Sequence, residues 1–227
     1  MDQGRHVVSG AAAPIVIAVA SDRSLIADAV SAALSGSDTV IVPVPWPSHR
    51  VERVGWPPST DPPALALMLV DLDRSALEAA RRLVASRPAR WLLLTDTPRG
   101  PLWGAMLEAG VTNILPSSTT MADVQGIIAG LRAGVVTEGP PDRDELLGAW
   151  RRVQALRAEA GARLNSLTRR EREVLQMLHL GQTVVEIAEG SGVAPSTVRS
   201  QVRSVLRKLG VNSQLAAVAF FDQWDAD

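Results

Sequence analysis

Four polar residues near the carboxyl end recur at spacings that bring them together. Ser196, Arg199, Arg203 and Arg207 are separated by three, four and four residues, so on a helix they share one side. Guanidinium groups carry a permanent charge and a planar fork of donors, which suits phosphate oxygens and the edge of guanine. Val198, Val202, Val205 and Leu209 recur at four, three and four, the pattern of a stripe buried against a scaffold. No acid occurs between Glu189 and Asp222. The segment from Pro195 to Leu209 is therefore read as a helix with two unlike faces, shaped for the major groove of duplex DNA. The other residues with chemical potential are Asp22, Asp71 and Thr95, each at or just beyond the end of a short apolar run.

Those runs define the elements that would position the acids. Ile15 to Ala20, Thr39 to Val44, Ala64 to Val70, Trp91 to Thr95 and Val111 to Leu115 are short and mostly apolar, as strands covered on both faces are. Helical spacing appears in Ser24 to Leu34, Ser75 to Ser86, Pro101 to Ala109 and Thr119 to Ala133. Strands alternating with helices imply an α/β, doubly wound, five-stranded parallel sheet, flavodoxin-like in kind. Asp22, Asp71 and Thr95 then converge on its carboxyl-end rim. Between the second and third strands, six prolines leave only Ser48 to Arg53 free to turn, so a helix there is expected to be stunted or absent. Trp46 and Trp56 are expected to cover the sheet in its place, or to meet a partner. Trp103 and Met106, with Ile127, Ile128 and Leu131, are core candidates on the last two helices of this half.

Residues 1–13 read as a disordered leader, 14–136 as the sheet domain, 137–163 as a linker with a connecting helix and 164–227 as a small all-α domain. The connecting helix, from Asp144 to Leu164, carries Leu146, Leu147, Trp150, Val153 and Leu156 near one face, to pack on its own domains or to pair with a second copy. Thr168 with Glu171 three residues later is a capping box for a helix ending before Gly181. Thr183 opens a short helix to Glu189; Gly190-Ser191-Gly192 turns the chain to Pro195, a residue suited to the first helical position. Short helix, tight turn and long basic helix make a helix-turn-helix.

These residues carry a resemblance. The segments L-T-R-R-E-R-E-V-L at 167–175, E-I-A at 186–188, T-V-R at 197–199 and R-K-L-G-V at 207–211 resemble the LuxR-type (GerE) DNA-binding domain. The resemblance implies that Arg199, Ser200 and Arg203 face base edges, and that Ser196, Thr197, Lys208 and Thr183 lie near phosphates. Ala194, Val185, Gln201 and Gln214 stand where that family has Ser, Lys, His and Arg, and Ser191 where it has Leu. Fewer cationic or capping contacts imply weaker non-specific affinity with the fold kept. Arg169, Arg170 and Arg172 are expected at a solvated helix end, bonded to Glu171, Glu173 and their neighbours.

The first half resembles a response-regulator receiver of the NarL/FixJ kind, with an incomplete phosphorylation site. Asp71 matches the phosphoacceptor and Thr95 the hydroxyl, but Ser21-Asp22 stands where two acids are usual. Ile114-Leu115-Pro116-Ser117 occupies the place of the family's lysine, and Lys208 is the only lysine in the chain. The loop after Asp71 is also shorter than the family's. Asp22, Asp71 and Thr95 are therefore read as a vestigial phosphorylation site, with weak Mg²⁺ binding at Asp22 and Asp71 as the most that could remain.

Charge agrees with this division. Residues 163–215 carry eight basic groups against four acids, whereas residues 1–162 carry fifteen against seventeen. A polyanion would meet the second domain. With no cysteine, no phosphate-binding glycine loop and three histidines in unrelated surroundings, an enzyme is not expected and no cofactor or metal is assigned. No run of about 18 uncharged apolar residues occurs, so no membrane span and a cytoplasmic location are expected. The leading expectation is a homodimeric, sequence-specific transcription regulator of double-stranded DNA. Its receiver would answer to a small molecule, a partner protein or protein level rather than aspartyl phosphate. Two alternatives stay open: phosphorylation-dependent control through Asp71, and a protein-interaction adaptor.

Overall fold

A computed structural model describes residues 15–36, 39–47, 65–86, 89–133, 135 and 139–224. The expected leader, the crossover from Ser48 onward including Ser48 to Arg53, and Trp56 lie outside the described residues; Trp46 is half-buried. The chain divides into two compact units, one ending at Trp150 and the other beginning at Arg151. The division falls inside the connecting helix rather than before it.

In the first unit the strands are β1 (Ile15–Ser21), β2 (Thr39–Val44), β3 (Leu65–Leu69), β4 (Arg90–Thr95) and β5 (Val111–Pro116). They pair in parallel in the order β2-β1-β3-β4-β5. All five residues of β3 are buried, and β4 is buried after Arg90, because these central strands are covered on both faces. Edge strand β2 alternates instead and leaves Val40 exposed. The helices are α1 (Ser24–Leu34), α2 (Arg74–Ser86), α3 (Pro101–Ala109) and α4 (Met121–Arg132). Ile17, Val19, Leu67, Leu69, Leu92 and Leu94 form one side of the core with Val124 and Ile128 of α4. By strand alternation Ala18, Ala20, Met68 and Leu93 point to the other side. Asp73 starts α2 by accepting the Ala76 amide at 2.8 Å, a hydrogen bond that lowers its carboxyl pKa.

The connecting helix is α5 (Arg143–Asn165). Within the first unit its opening turns lie on α3, where Leu146 and Trp150 are buried, as their apolar spacing implied. Leu147 and Val153 are half-buried and Leu156 is exposed. Gly104 permits the approach on α3: a Cβ there would stand 2.1 Å from the Leu146 carbonyl oxygen and 2.9 Å from Cβ of Trp150. Gly104→Ala should therefore separate α3 from α5 and cost roughly 1–3 kcal/mol of this unit's stability, read as a lower urea midpoint. An unchanged midpoint would mean that the crossing is loose.

The second unit holds α6 (Arg169–His179), α7 (Val184–Ser191), α8 (Pro195–Leu209) and α9 (Gln214–Trp224). Capping boxes start α6 at Thr168 with Glu171, and α7 at Thr183 with Glu186. The second box also follows T-x-x-E spacing. Helix α7 continues through Gly190 and Ser191, whose residue types point instead to the turn. The turn comes at Gly192, whose φ of 65° lies in the left-handed region where glycine carries no Cβ penalty. Val198, Val202, Val205 and Leu209 of α8 are all buried. Val198 and Val202 join Val174, Leu178, Ile187 and Ala188; Val205 and Leu209 join Leu164, Leu167, Leu175 and Phe221. At roughly 1.5–3 kcal/mol per buried aliphatic side chain, this stripe is what fixes α8 to its scaffold. Among the described residues no helix is long and apolar enough to cross a membrane.

Candidate functional site

The free side of α8 is a row of unbonded polar groups. Ser196, Thr197, Arg199, Ser200, Arg203 and Arg207 are exposed. Among the described residues, the guanidinium groups of Arg199, Arg203 and Arg207 make no hydrogen bond or ion pair. Successive arginines four residues apart lie about 6 Å apart along the axis, a spacing that lets neighbouring side chains address successive base pairs or phosphates. Ala194 precedes the helix with no side-chain cap, as expected from its residue type.

Two residues expected near phosphates have internal bonds. Thr183 is exposed, but its hydroxyl accepts the Glu186 amide at 3.3 Å and its own amide donates to Glu186 at 2.7 Å. Lys208 is half-buried, and its ammonium donates to Glu171 at 2.6 Å and to the Ser166 carbonyl at 2.9 Å. Glu171 accepts in addition from the Ser204 hydroxyl at 2.7 Å and from the Thr168 amide at 2.7 Å. Burial pushes the Glu171 carboxyl up, but the bonds from Lys208, Ser204 and Thr168 outweigh it and hold the group at about 2. The ammonium expected to meet DNA thus ties α6 to α8. Arg163 at the end of α5 adds a bond to the Leu209 carbonyl at 3.2 Å, a cation at the carboxyl end of α8. Arg169 and Arg170 pair with Glu173, and Arg172 donates to the Leu164 carbonyl, the helix-end bonding expected of them.

The second set of residues meets on the sheet's rim. Asp22, Asp71 and Thr95 all line one cavity at the carboxyl ends of β1, β3 and β4, beside the β1/β3 switch point. Asp22 is exposed. Asp71 accepts the Asp96 amide at 2.7 Å on one carboxylate oxygen and the Arg23 guanidinium at 3.2 Å on the other. Thr95 is buried, and its hydroxyl donates to the Thr97 hydroxyl at 2.9 Å. Ser21, where the family's first acid would stand, uses its hydroxyl to accept the Arg23 amide. Ser117, in the lysine's segment, donates to Asp96.

Nothing in the sequence alone singles out Arg23, Asp96 or Thr97. Arg23 follows directly on Asp22 and brings a cation to Asp71, although the domain has no lysine. These residues do not fit a Mg²⁺ cradle: one of the paired acids is a serine, and a guanidinium already occupies an Asp71 oxygen.

From this rim a chain of bonds runs to the start of α5. The Thr97 hydroxyl accepts the Leu72 amide at 2.6 Å, and the Thr97 carbonyl accepts Trp103 Nε1 at 2.9 Å. Trp103 is buried, as its place among the core candidates implied. Arg99 lies over the Trp103 ring, 5.0 Å from its centroid, and donates through Nε to Asp142 at 2.7 Å. That pairing lowers the Asp142 carboxyl. Trp150 of α5 donates to Glu108 of α3 at 2.7 Å.

Residues 165–221 match the family of bacterial regulatory proteins of the luxR type (GerE). Over 155 residues the chain is 30% identical to the probable transcriptional regulatory protein NarL of Mycobacterium tuberculosis, spanning 66% of this chain and 69% of that protein. It is 28% identical over 158 residues to the response regulator protein VraR of Staphylococcus aureus, 68% of this chain and 72% of that one. A solved structure of the response regulator RcsB from Salmonella typhimurium aligns over 93% of this chain and 99% of its own, at 20% identity and a TM-score of 0.40.

Proposed function

This chain belongs to the NarL-type response regulators, receiver-like domain and LuxR-family helix-turn-helix, and from that premise we propose a dimeric, sequence-specific regulator not switched by ordinary aspartyl phosphorylation. It is a DNA-binding transcriptional regulator; the dimer, the base contacts and the mode of control are the proposal. The observation that carries it is the exposed, unbonded row Arg199, Arg203 and Arg207 on a helix anchored by its opposite face. Arg199, Ser200 and Arg203 would read base edges, while Ser196, Thr197 and Arg207 would contact phosphates. Thr183 would meet a phosphate through what its capping role leaves free. Lys208 acts through Glu171 in holding the helix. Two copies would place these helices in successive major grooves about 10 base pairs apart, so an operator with paired half-sites is expected. Selection of bound fragments from genomic DNA tests this. Recovery of no enriched sequence, or of single half-sites only, would defeat it.

The rim supports the second half of the proposal. Transfer of a phosphoryl group to Asp71 needs acids that help hold a divalent ion and positive charge around three phosphoryl oxygens. Ser21 stands in place of one acid and the domain has no lysine, which leaves Arg23, paired with Asp71, as the cation at this rim among the described residues. Arg23 is also what favours the rival reading, because a guanidinium could stand in for the lysine in a phosphorylation-dependent regulator. Incubation with acetyl phosphate and Mg²⁺, followed by intact-mass measurement, separates the two. The expected result is no phosphoryl adduct and unchanged operator affinity. A stoichiometric adduct, absent from Asp71→Asn and tightening operator binding, would establish the rival.

A further inference from the structure

The rim of the first unit is more than an emptied phosphorylation site. Behind it the described residues line a half-open cavity of about 320 Å³. Ile26 and Val30 of α1, Met121 and Val124 of α4, and Leu69 and Leu94 at the strand ends give it apolar walls. A volume of that size with such walls suits a small organic molecule, whereas a hydrated metal and a phosphoryl group need neither. The mouth is polar and one-sided in charge. Asp22, Asp71, Asp96 and Arg23 all line it, and Arg23 is already paired with Asp71. Asp96 accepts only the neutral hydroxyl of Ser117 on its side chain, and Asp22 has no bonded partner among the described residues. Among the described residues, two carboxylates at the mouth therefore have no cation bonded to them, above a cavity that favours hydrocarbon.

We infer that this cavity binds a small organic cation, an apolar body between α1 and α4 with an ammonium group against Asp22 and Asp96. The inference deepens the reading that the first domain answers to something other than aspartyl phosphate, and rests on it for its regulatory meaning. The binding itself does not depend on that reading. The apolar walls supply affinity through area removed from water, and the acids select among molecules of equal body by head group. An anionic ligand of the same size would face two unpaired carboxylates and is disfavoured by the same charges.

Three probes with one body and different heads test this: 4-phenylbutylamine, 4-phenylbutyrate and 4-phenylbutanol, titrated into the full-length protein with methyl signals of Ile26, Val30 and Met121 observed by NMR. The amine should give saturable shifts at these methyls and bind about ten-fold or more tightly than the carboxylate, with the alcohol between them. Ile26→Lys sits at a partly exposed position that tolerates a polar side chain, and places a competing ammonium at the mouth. It should weaken the amine about ten-fold while leaving operator affinity intact. Asp22→Asn with Asp96→Asn should erase the preference for amine over carboxylate. Absence of saturable shifts with any probe would overturn the inference, as would equal binding of the carboxylate or indifference to Ile26→Lys. An acylphosphate on Asp71 would overturn the control reading alone, and the head-group preference would stand or fall by its own titration.

Discussion

Replacing Arg199 and Arg203 together by alanine should lower affinity for the selected operator by roughly 30-fold to 10⁴-fold, on about 1–3 kcal/mol for each proposed bidentate arginine–guanine pair. The loss should be largest for the best operator and small for scrambled DNA, because base contacts carry the discrimination. Arg207→Ala should behave differently. Removing a cation from a phosphate weakens binding to all sequences alike and reduces the slope of log affinity against log salt by about 1. Fluorescence anisotropy with operator and scrambled duplexes over a salt series separates the two kinds of residue. The six exposed positions on α8 make these variants informative, since none of the three arginines bonds to the described scaffold and their removal should leave it folded. If the double variant bound operator as tightly as the parent, α8 would not be the reading element.

The second large effect lies behind that helix. Glu171→Ala should destabilise the second unit by about 3–5 kcal/mol at neutral pH, because it leaves the Lys208 ammonium half-buried beside Ser166 without a counter-charge. Glu171→Met paired with Lys208→Met should recover much of this, since neither charge then needs a partner. The same network gives a pH signature. The Glu171 carboxyl sits at about 2 in the folded protein against 4.5 ordinarily. A depressed carboxylate stabilises the fold above its unfolded value, and the contribution fades as pH falls from about 4.5 toward about 2. The full depression corresponds to at most about 3 kcal/mol. Hydrogen exchange of the α8 amides, measured at about pH 6 and about pH 3, should show a parent that loses protection and a Glu171→Gln variant that starts lower and changes less. Parallel losses in the two proteins would remove Glu171 from the explanation.

The fold was legible where one physical rule decided an element. Continuous apolar runs such as Ile15 to Ala20 suit strands covered on both faces, and β1 runs Ile15–Ser21. The stripe Val198, Val202, Val205, Leu209 defined the face of α8 that is buried. The T-x-x-E spacing at Thr168 marked the cap of α6, which begins at the next residue, Arg169. What sequence could not show was which side chain stands opposite which. The family resemblance put Lys208 near phosphates, but Glu171 reaches it from another helix 37 residues away. The family pattern points to a lysine beyond the fifth strand as the cation for Asp71, whereas the guanidinium comes from Arg23 in the loop after β1. Thr97 carried no local signal at all. Its importance lies in the Thr95 hydroxyl, the Leu72 amide and the Trp103 indole, three groups from separate stretches that meet there. Gly190 and Ser191 are turn residues by type, yet hydrogen bonding within α7 keeps them helical up to Gly192.

The chain's single lysine has its ammonium locked between a carboxylate and a carbonyl. Acylating reagents that seek unprotonated amines therefore find one lysine side chain, and its nitrogen must leave Glu171 and Ser166 before it can attack. A single added acyl group at Lys208 is thus a chemical clock for loss of the bond between α6 and α8, available in the natural sequence without any engineered label.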